Sequence, residues 1–218
     1  MRRVGILGGM GPEATILLMQ KVMGAVTAKD DRDHIPLIVH QNPGVPSRIA
    51  HLIDGTGDSP APVLAAMAAE LQAAGAEALA MPCNTAHAYK DVLAEIGLPF
   101  LDMIELSAAR LSGRVGMLAS PAVRRAGVFD AAFAARGITA VWRDEEALLE
   151  LIRAVKAGRG EARMLARIAR AMMRDCDQLL VACTELSLFT ESLSGLAWVD
   201  SLDCLVDGIV GFSRGAPG

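Results

Sequence analysis

The sequence predicts an α/β protein in which parallel strands are flanked by helices on both faces. Three observations favour this class: short apolar segments alternate with helix-like segments, aromatic residues make up only 4% of the chain, and hydrophobic residues make up 52%. Alanine-rich helices stacked on a buried parallel sheet match that composition better than an all-β sandwich does. The 218 residues are enough for one large domain or two small ones.

The first half of the chain follows a strand-helix-strand order. Apolar runs bounded by breakers predict strands at 3–8, 36–40, 78–82 and 99–102. Pro12 stands where a proline is tolerated at the start of a helix, and helix-forming residues follow it to Lys21. A second helix is predicted over 62–74, which consists almost entirely of helix formers. Strands that alternate with helices in this way are typically parallel.

The second half restarts the same order at Arg114, where residues 114–121 resemble the first strand and the turn after it. The predicted elements are a strand from Arg114, strands over 138–142 and 178–182, and helices over 145–157, 161–174 and 202–212. The two halves are therefore consistent with one unit used twice. We expect an N-terminal lobe at 1–102, a C-terminal lobe at 103–201, and a C-terminal helical segment at 202–218 that joins the first lobe.

Composition excludes several classes of partner. A formal net charge of -4 and a pI of about 5.6 leave no broad basic surface for phosphates, so we expect small-molecule ligands and no nucleic acid. No apolar stretch approaches the roughly 20 residues that span a bilayer, although the mean hydropathy is +0.36. The apolar run at the N-terminus is short and broken by glycine, which is typical of a first strand and not of a signal peptide. We therefore expect a soluble, cytoplasmic protein without a membrane partner.

The cysteines are too few and too scattered for a secreted disulfide scaffold, and a reducing compartment would leave them as thiols. They are Cys83, Cys176, Cys183 and Cys204. Cys83 follows the predicted strand 78–82, and Cys183 follows its counterpart 178–182. Each precedes a predicted helix start, where unpaired N–H groups favour negative charge and are expected to lower a thiol pKa from about 8.5 toward neutrality.

Ligands of open parallel sheets collect at the carboxyl ends of the strands. A glycine-rich turn at 8–13 and the cysteine segments at 82–86 and 182–186 lie at such ends. A single buried cysteine is usually an inert core residue, but two cysteines in equivalent positions of two related lobes would face each other across a cleft. One thiolate could then remove a proton from a carbon atom while the opposite thiol returns a proton to its other face. Inversion of a carbon centre requires this arrangement.

A family resemblance rests on several segments of the chain. They are GILGGMGPEAT at 5–15, HIP at 34–36, NP at 42–43, MPCNTAH at 81–87 and CTEL at 183–186. Together they resemble the aspartate/glutamate racemase superfamily, and most of all its aspartate racemase branch, over nearly the whole chain. The resemblance implies a homodimeric enzyme of two pseudo-symmetric lobes, each a parallel sheet flanked by helices, with the active site in the cleft between them.

The same resemblance implies racemisation of an acidic amino acid without pyridoxal phosphate, any other cofactor, or a metal. It implies that Cys83 and Cys183 are the catalytic pair. Glutamate racemases carry Asp-Ser after the first strand, and the absence of that signature here favours aspartate, converted between its L and D forms, as the substrate.

The resemblance further implies a set of substrate-binding residues. They are Met10, Asn42, Arg48, Asn84, Thr85, Ser120, Lys156, Thr184 and Glu185. Arg48 and Lys156 match positions used at the substrate carboxylates, which suits a two-pronged guanidinium and an ammonium. For Asn84, Thr85 and Thr184 plain helix capping is the alternative, and for Glu185 it is a first-turn contact with the helix dipole. The chain departs from the family by having Ser47 in place of an aspartate before Arg48, which affects the distal end of the pocket.

Three alternative functions have to be weighed against this one. A nucleotide-binding module is disfavoured because the second strand leads into His40, Gln41 and Asn42 without an acidic ribose ligand, and no Gly-Lys-Ser/Thr occurs in the glycine-rich turn. A zinc site at Cys83 and His87 lacks a second pair of ligands. A different reaction on the same scaffold stays open: a glutamate or broad-specificity racemase, a hydantoin racemase, a decarboxylase or a maleate isomerase.

Overall fold

Two parallel four-stranded sheets form the frame of the protein in a computed structural model that describes residues 1–215. The strands of the first sheet are β1 (Val4–Gly8), β2 (Leu37–Gln41), β3 (Ala78–Ala80) and β4 (Phe100–Leu101). Those of the second sheet are β5 (Arg114–Ala119), β6 (Thr139–Val141), β7 (Gln178–Ala182) and β8 (Trp198–Asp200). The strand orders are β2-β1-β3-β4 and β6-β5-β7-β8, so the same topology occurs twice. The predicted α/β class is confirmed.

The strands β1 and β5 occupy equivalent positions inside their sheets, and both are almost wholly buried. All 5 residues of β1 are buried, and in β5 only Arg114 at the start is exposed. Val4 of β1 pairs with Leu37 of β2 on one side and with Ala78 of β3 on the other. A strand covered on both faces has apolar residues at successive positions, which explains the continuous apolar runs in the sequence.

Helices lie between and beside these strands along the chain. They are α1 (Pro12–Gly24), α2 (Ala61–Ala73), α3 (Asp91–Ala94), α4 (Met103–Ala108), α5 (Pro121–Arg125), α6 (Asp130–Ala134), α7 (Glu145–Lys156), α8 (Ala162–Met172) and α9 (Ser201–Arg214). Shorter 3₁₀ or π-helical segments lie at Asp31–Asp33, Ala50–Asp54, Thr85–Tyr89 and Leu186–Leu193. Within residues 1–215, no helix combines the length and the apolar character needed to cross a membrane.

Apolar clusters fill the space between the helices and both faces of each sheet. On one face of the first sheet, Ile6 packs in a cluster with Leu18 of α1 and Ile209 of α9. On the other face, Leu7 belongs to a cluster with Leu64 of α2. The second sheet is covered in the same way, by α7 and α8 on one face and by α4, α5 and α6 on the other.

The last helix brings the chain back to its first half. α9 follows β8 of the second sheet, yet its apolar residues pack with β1 and α1 of the first. The predicted segment 202–218 that joins the first lobe extends past the described part of the chain, since 216–218 lie outside the described residues. The division at 102/103 stays a prediction.

The structure differs from the sequence prediction at several elements. β3 ends at Ala80 instead of at 82, because the chain leaves the sheet before Pro82, which has no N–H group to donate. β8, a strand of 3 residues that pairs with β7, is absent from the predicted elements. α4 is likewise absent from them, and Asp102 caps this helix by accepting the N–H of Ile104 at 2.9 Å.

Candidate functional site

Cys83 and Cys183 line one cavity at the carboxyl ends of the two sheets. Cys83 follows β3 and Cys183 follows β7, and each residue is 8% exposed. The two loops turn alike, since the N–H of Ala86 donates to the Cys83 carbonyl oxygen at 3.2 Å and that of Leu186 to the Cys183 carbonyl oxygen at 2.9 Å. Equivalent loops therefore present two thiols to one space.

Most of the predicted site residues line this cavity. They are Met10, Arg48, Cys83, Thr85, Ser120, Lys156, Cys183 and Glu185. Both sheets contribute, so side chains that are far apart in the sequence surround the same space. The lining combines thiols with cations, a carboxylate and hydroxyl groups, which are the group types that acid/base chemistry on a charged small molecule needs.

Cys183, Glu185 and Lys156 form a connected chain on one side of the cavity. The Cys183 thiol donates to Oε2 of Glu185 at 3.1 Å, and Lys156 Nζ lies 3.1 Å from Oε1 of the same carboxylate. The Glu185 side chain is 8% exposed and that of Lys156 is 40% exposed, so the carboxylate is buried between a thiol and a partly exposed cation. Burial lowers the pKa of Lys156, but the negative charge of the neighbouring Glu185 carboxylate outweighs it and leaves that pKa raised.

The surroundings of Cys183 contradict the predicted fall of its pKa. Burial raises the pKa of this thiol well above its usual range, the carboxylate of Glu185 raises it further, and Lys156 opposes the shift only in part. The helical segment after the cysteine, Leu186–Leu193, is a 3₁₀ helix with poorer hydrogen-bond geometry than an α-helix. At Cys183, desolvation and a neighbouring negative charge are therefore stronger than the expected helix-terminus effect.

Arg48 is held in place by the backbone of its own loop. Its Nη1 donates to the carbonyl oxygens of Val45 at 3.2 Å and Pro46 at 2.8 Å, which positions the guanidinium at the cavity. In the described part of the chain no carboxylate lies within 4.0 Å of Arg48, whereas Lys156 is paired with Glu185. The Arg48 charge is therefore available to a carboxylate of a ligand.

Three other predicted residues complete the lining near the thiols. Ser120 is the residue between β5 and α5, and its Oγ accepts the N–H of Ala122 at 3.0 Å as a helix cap. Thr85 opens the 3₁₀ segment that follows Cys83 and is half-buried. Met10 is buried in the glycine-rich turn after β1. Two hydroxyl groups and a thioether thus border the cavity beside the cysteines.

The predicted residues Asn42, Asn84 and Thr184 do not line the cavity. Oδ1 of Asn42 accepts a backbone N–H two residues further on at 2.9 Å. Asn84 Nδ2 donates to Ser201 Oγ at 2.9 Å, and Thr184 Oγ1 donates to the carbonyl oxygen of Pro82 at 3.2 Å. The last of these bonds joins the two cysteine loops directly. These contacts are structural, and a substrate-binding role for the three residues stays a prediction.

His87, which follows Cys83 on the same loop, uses both ring nitrogen atoms in hydrogen bonds. Nδ1 donates to the Cys83 carbonyl oxygen at 2.9 Å, and Nε2 accepts the N–H of Met103 at 3.2 Å. Burial lowers the pKa of His87 against the opposing charge of Asp102, which favours the neutral ring that this pair of bonds requires. No group of three or more His, Cys, Asp and Glu side chains within residues 1–215 has the arrangement of a metal site. Through its two hydrogen bonds, His87 connects the loop of Cys83 to the first residue of α4.

Three lining residues are absent from the predicted set: Ser47, Ile49 and Ile152. Ile152 lies one helical turn before Lys156 in α7, so the two residues share a face of that helix. Helical spacing from Lys156 would have identified it. For Ser47 and Ile49, the sequence carries no signal beyond their position next to Arg48.

Comparison with known protein families gives a match over most of the chain. Residues 7–209 match the family described as Asp/Glu/hydantoin racemase. A curated relative is the broad specificity amino-acid racemase RacX of Bacillus subtilis (strain 168). It is 24% identical over an alignment 221 residues long that covers 95% of this chain and 96% of the relative.

Solved structures show the same architecture. The aspartate racemase of Picrophilus torridus superposes with a TM-score of 0.90 and 25% identity, covering 98% of this chain and 95% of the other. An aspartate racemase homologue from Pyrococcus horikoshii OT3 superposes with a TM-score of 0.74 and 20% identity, covering 98% of this chain and 100% of the other. Both likenesses extend over nearly the whole length of each chain and therefore include both sheets.

Proposed function

This chain belongs to the Asp/Glu/hydantoin racemase family, and we propose that it racemises an acidic amino acid, aspartate above all, by proton transfer between two thiols. The observation that carries the proposal is the placement of Cys83 and Cys183. They line one cavity from equivalent loops of two sheets, beside Arg48, which has no carboxylate partner within residues 1–215.

The proposed chemistry needs one thiolate and one thiol. The thiolate removes the proton from the α-carbon and becomes a thiol, while the thiol on the opposite face donates its proton to the same carbon and becomes a thiolate. Negative charge develops on the α-carbon and its carboxylate during the transfer. The cations that line the cavity, Arg48 and Lys156, stabilise that charge. Because the protein supplies both proton-transfer groups, we propose that no cofactor and no metal takes part.

The charges of the lining support an acidic substrate. Arg48 can bind a carboxylate through two parallel hydrogen bonds, and Lys156 adds a second positive charge at the same cavity. The hydroxyl groups of Thr85 and Ser120 offer further hydrogen bonds to a carboxylate. An amino acid with two carboxylates would thus find a charged partner for each.

A broader specificity is the second candidate function, and one observation favours it. Lys156 is already paired with Glu185 at 3.1 Å, which leaves Arg48 as the cation of the lining that has no carboxylate partner among the described residues. A substrate with a single carboxylate would then also find a charged partner. The likeness to a broad specificity amino-acid racemase points in the same direction.

One experiment separates these functions. The protein is incubated with a panel of D- and L-amino acids in heavy water, and α-deuterium incorporation is read together with inversion. We expect inversion of aspartate without added cofactor, and an unchanged rate after dialysis against a chelator. Equal rates for aspartate and neutral amino acids would establish the broad specificity instead. Absence of exchange and inversion for the whole panel would contradict both.

From the family resemblance we further propose a cytoplasmic homodimer. We also propose that each protomer divides into a lobe of 1–102 with 202–218 and a lobe of 103–201. The equal strand orders of the two sheets support that division.

A further inference from the structure

The two thiols of this pseudo-symmetric cavity have different neighbours. The residue two positions after Cys83 is Thr85, and the residue two positions after Cys183 is Glu185. Both neighbours line the cavity, so equivalent loop positions place a neutral hydroxyl group on one side and a carboxylate on the other. The hydrogen bond of 3.1 Å between Cys183 Sγ and Glu185 Oε2 shows that this carboxylate contacts the thiol itself.

We propose that Glu185 is a positioning residue that keeps the proton on Cys183 in the substrate-free enzyme, so that Cys83 begins the reaction as the base. The inference rests on the proposed racemisation by two thiols. In this state Cys183 carries its proton, which it donates in a hydrogen bond to Glu185 until the substrate arrives, and Cys183 then acts as the acid. After one turnover the proton from the substrate is on Cys83 and Cys183 is the thiolate, so the enzyme returns to its starting state by moving one proton between the sulfur atoms.

The contact with Glu185 explains why the proton stays on Cys183. A thiol can donate to a carboxylate, whereas a thiolate cannot donate and would bring a second negative charge to the same buried place. The charged and titratable groups that act on Cys183 are Glu185, Lys156 and Cys83. Lys156 opposes the carboxylate, but it is partly exposed and lies on the far oxygen atom of Glu185. Burial and the near carboxylate therefore decide the protonation state.

A kinetic asymmetry between the enantiomers follows from this arrangement. The enantiomer whose α-proton faces Cys83 binds the predominant form of the enzyme, and the other enantiomer binds the rarer form with a thiolate at Cys183. Because two enantiomers have equal free energy in water, kcat/KM must be the same in both directions. The unequal populations of the two enzyme forms therefore affect KM and kcat by the same factor. Both constants are higher for the enantiomer that needs the rarer form. The KM of that enantiomer divided by the KM of the other is above one in the unaltered enzyme, and we expect this ratio to fall toward one in Glu185→Gln.

Alkylation of the substrate-free enzyme by iodoacetamide tests the protonation state directly. Initial rates are read separately for Cys83 and Cys183 by peptide mass spectrometry, across a pH series. Glu185→Gln removes the negative charge and should speed alkylation of Cys183 about tenfold near pH 8, as a fall of one pKa unit in a mostly protonated thiol would do. Lys156→Met is the matched variant with the opposite sign: it removes the positive charge and should slow alkylation of Cys183.

The opposite signs separate the proposal from a loosening of the cavity, which would speed alkylation in both variants. An unchanged rate at Cys183 in Glu185→Gln, or faster alkylation in both variants, would overturn the inference. If Glu185→Gln does not fold, the alkylation rate of Cys183 in Lys156→Met tests the proposal. Only a slower rate than in the unaltered enzyme supports it. Since no substrate is present, failure of the proposed function shows up separately, as absent inversion of amino acids.

Discussion

The sulfur atoms of the four cysteines have different surroundings. Cys176 lies away from the cavity and donates to the carbonyl oxygen of Met172 at 3.3 Å, and Cys204 is 1% exposed within α9. Burial raises the pKa of both thiols; the charges of Asp177 and Asp175 raise that of Cys176 further. Neither residue lines the cavity that contains Cys83 and Cys183.

We expect Cys83→Ser and Cys183→Ser each to abolish nearly all racemisation, because serine is a far weaker acid and base at the face that it would serve. Cys176→Ser and Cys204→Ser are the matched controls, and they should retain activity at a cost in stability. The measurement is inversion of aspartate together with thermal unfolding of each variant. Near-normal inversion in both of the first two variants, or a need for only one cysteine, would contradict the two-thiol mechanism.

Arg48→Leu should affect aspartate far more than alanine. The substitution removes a charge-assisted hydrogen bond of about 1.5 to 3 kcal/mol, which corresponds to roughly tenfold to hundredfold in kcat/KM. Alanine lacks the second carboxylate and should lose less. Arg153→Leu is the control, because Arg153 is exposed on α7 and does not line the cavity. If kcat/KM fell equally for both substrates, Arg48 would instead bind the α-carboxylate or stabilise the fold.

At the scale of elements, the junction of β8 and α9 contains a buried carboxylate. Oδ1 of Asp200 accepts the Ser187 hydroxyl at 2.8 Å and the N–H of Leu202 at 2.9 Å, so it caps α9. Oδ2 has no hydrogen-bond partner within residues 1–215, and Lys21 lies 4.0 Å away. Burial raises the pKa of Asp200 from 3.8 to about 6.

This pKa predicts a pH dependence of stability. The folded state binds the proton more tightly than the unfolded state, so the stabilisation is present in full below about pH 4 and is lost as the pH rises through about 6. Over that range the free energy of unfolding should fall by roughly 3 kcal/mol relative to Asp200→Asn, which does not titrate but keeps an acceptor oxygen. Urea unfolding of both proteins at several pH values measures the difference. A constant difference would contradict the prediction.

At the scale of the whole molecule, the loop that carries Arg48 is tied to the opposite half of the chain. Arg125 of α5 donates from Nη1 to the carbonyl oxygen of Ile53 at 2.7 Å. Its neighbour Arg124 pairs with Glu145 instead, within the second half. Arg125 therefore connects the two halves of the chain by a hydrogen bond, and the adjacent Arg124 does not.

Arg125→Ala should raise KM for aspartate less than tenfold, because a single exposed hydrogen bond contributes about 0.5 to 1.5 kcal/mol. The physical reason is looser placement of the loop that holds Arg48. Arg124→Ala is the matched control on the same helix and should leave KM unchanged. Steady-state kinetics of both variants provide the test. Equal changes in the two would show that the link to Ile53 does not position the loop.

The proposed homodimer predicts a particle mass near twice the 22.9 kDa of one chain. Light scattering after size-exclusion chromatography measures this mass, at several protein concentrations. A mass of one chain at every concentration would contradict the proposal.

Much of the fold could be predicted because its signals are local. The strand β7 was predicted with its observed bounds, Gln178–Ala182, and α7 begins at Glu145 as its pattern indicates. Glycine and proline residues that end an element, and the spacing of apolar residues within it, can be read from neighbouring residues alone. β8 was not predicted, because its residues form a strand through their pairing with β7, a contact that the local sequence does not show.

The sequence by itself determined the α/β class and the segments that form the cavity, because those depend on apolar periodicity and on motifs of a few adjacent residues. Only the tertiary structure decided what each side chain does there. It paired Glu185 with Lys156 and Cys183, and it directed Thr184 away from the cavity to Pro82 on the other cysteine loop. The contacts with Lys156 and Pro82 join residues far apart in the chain, and the free energy of a buried charge depends on all the atoms around it, which the order of residues does not specify.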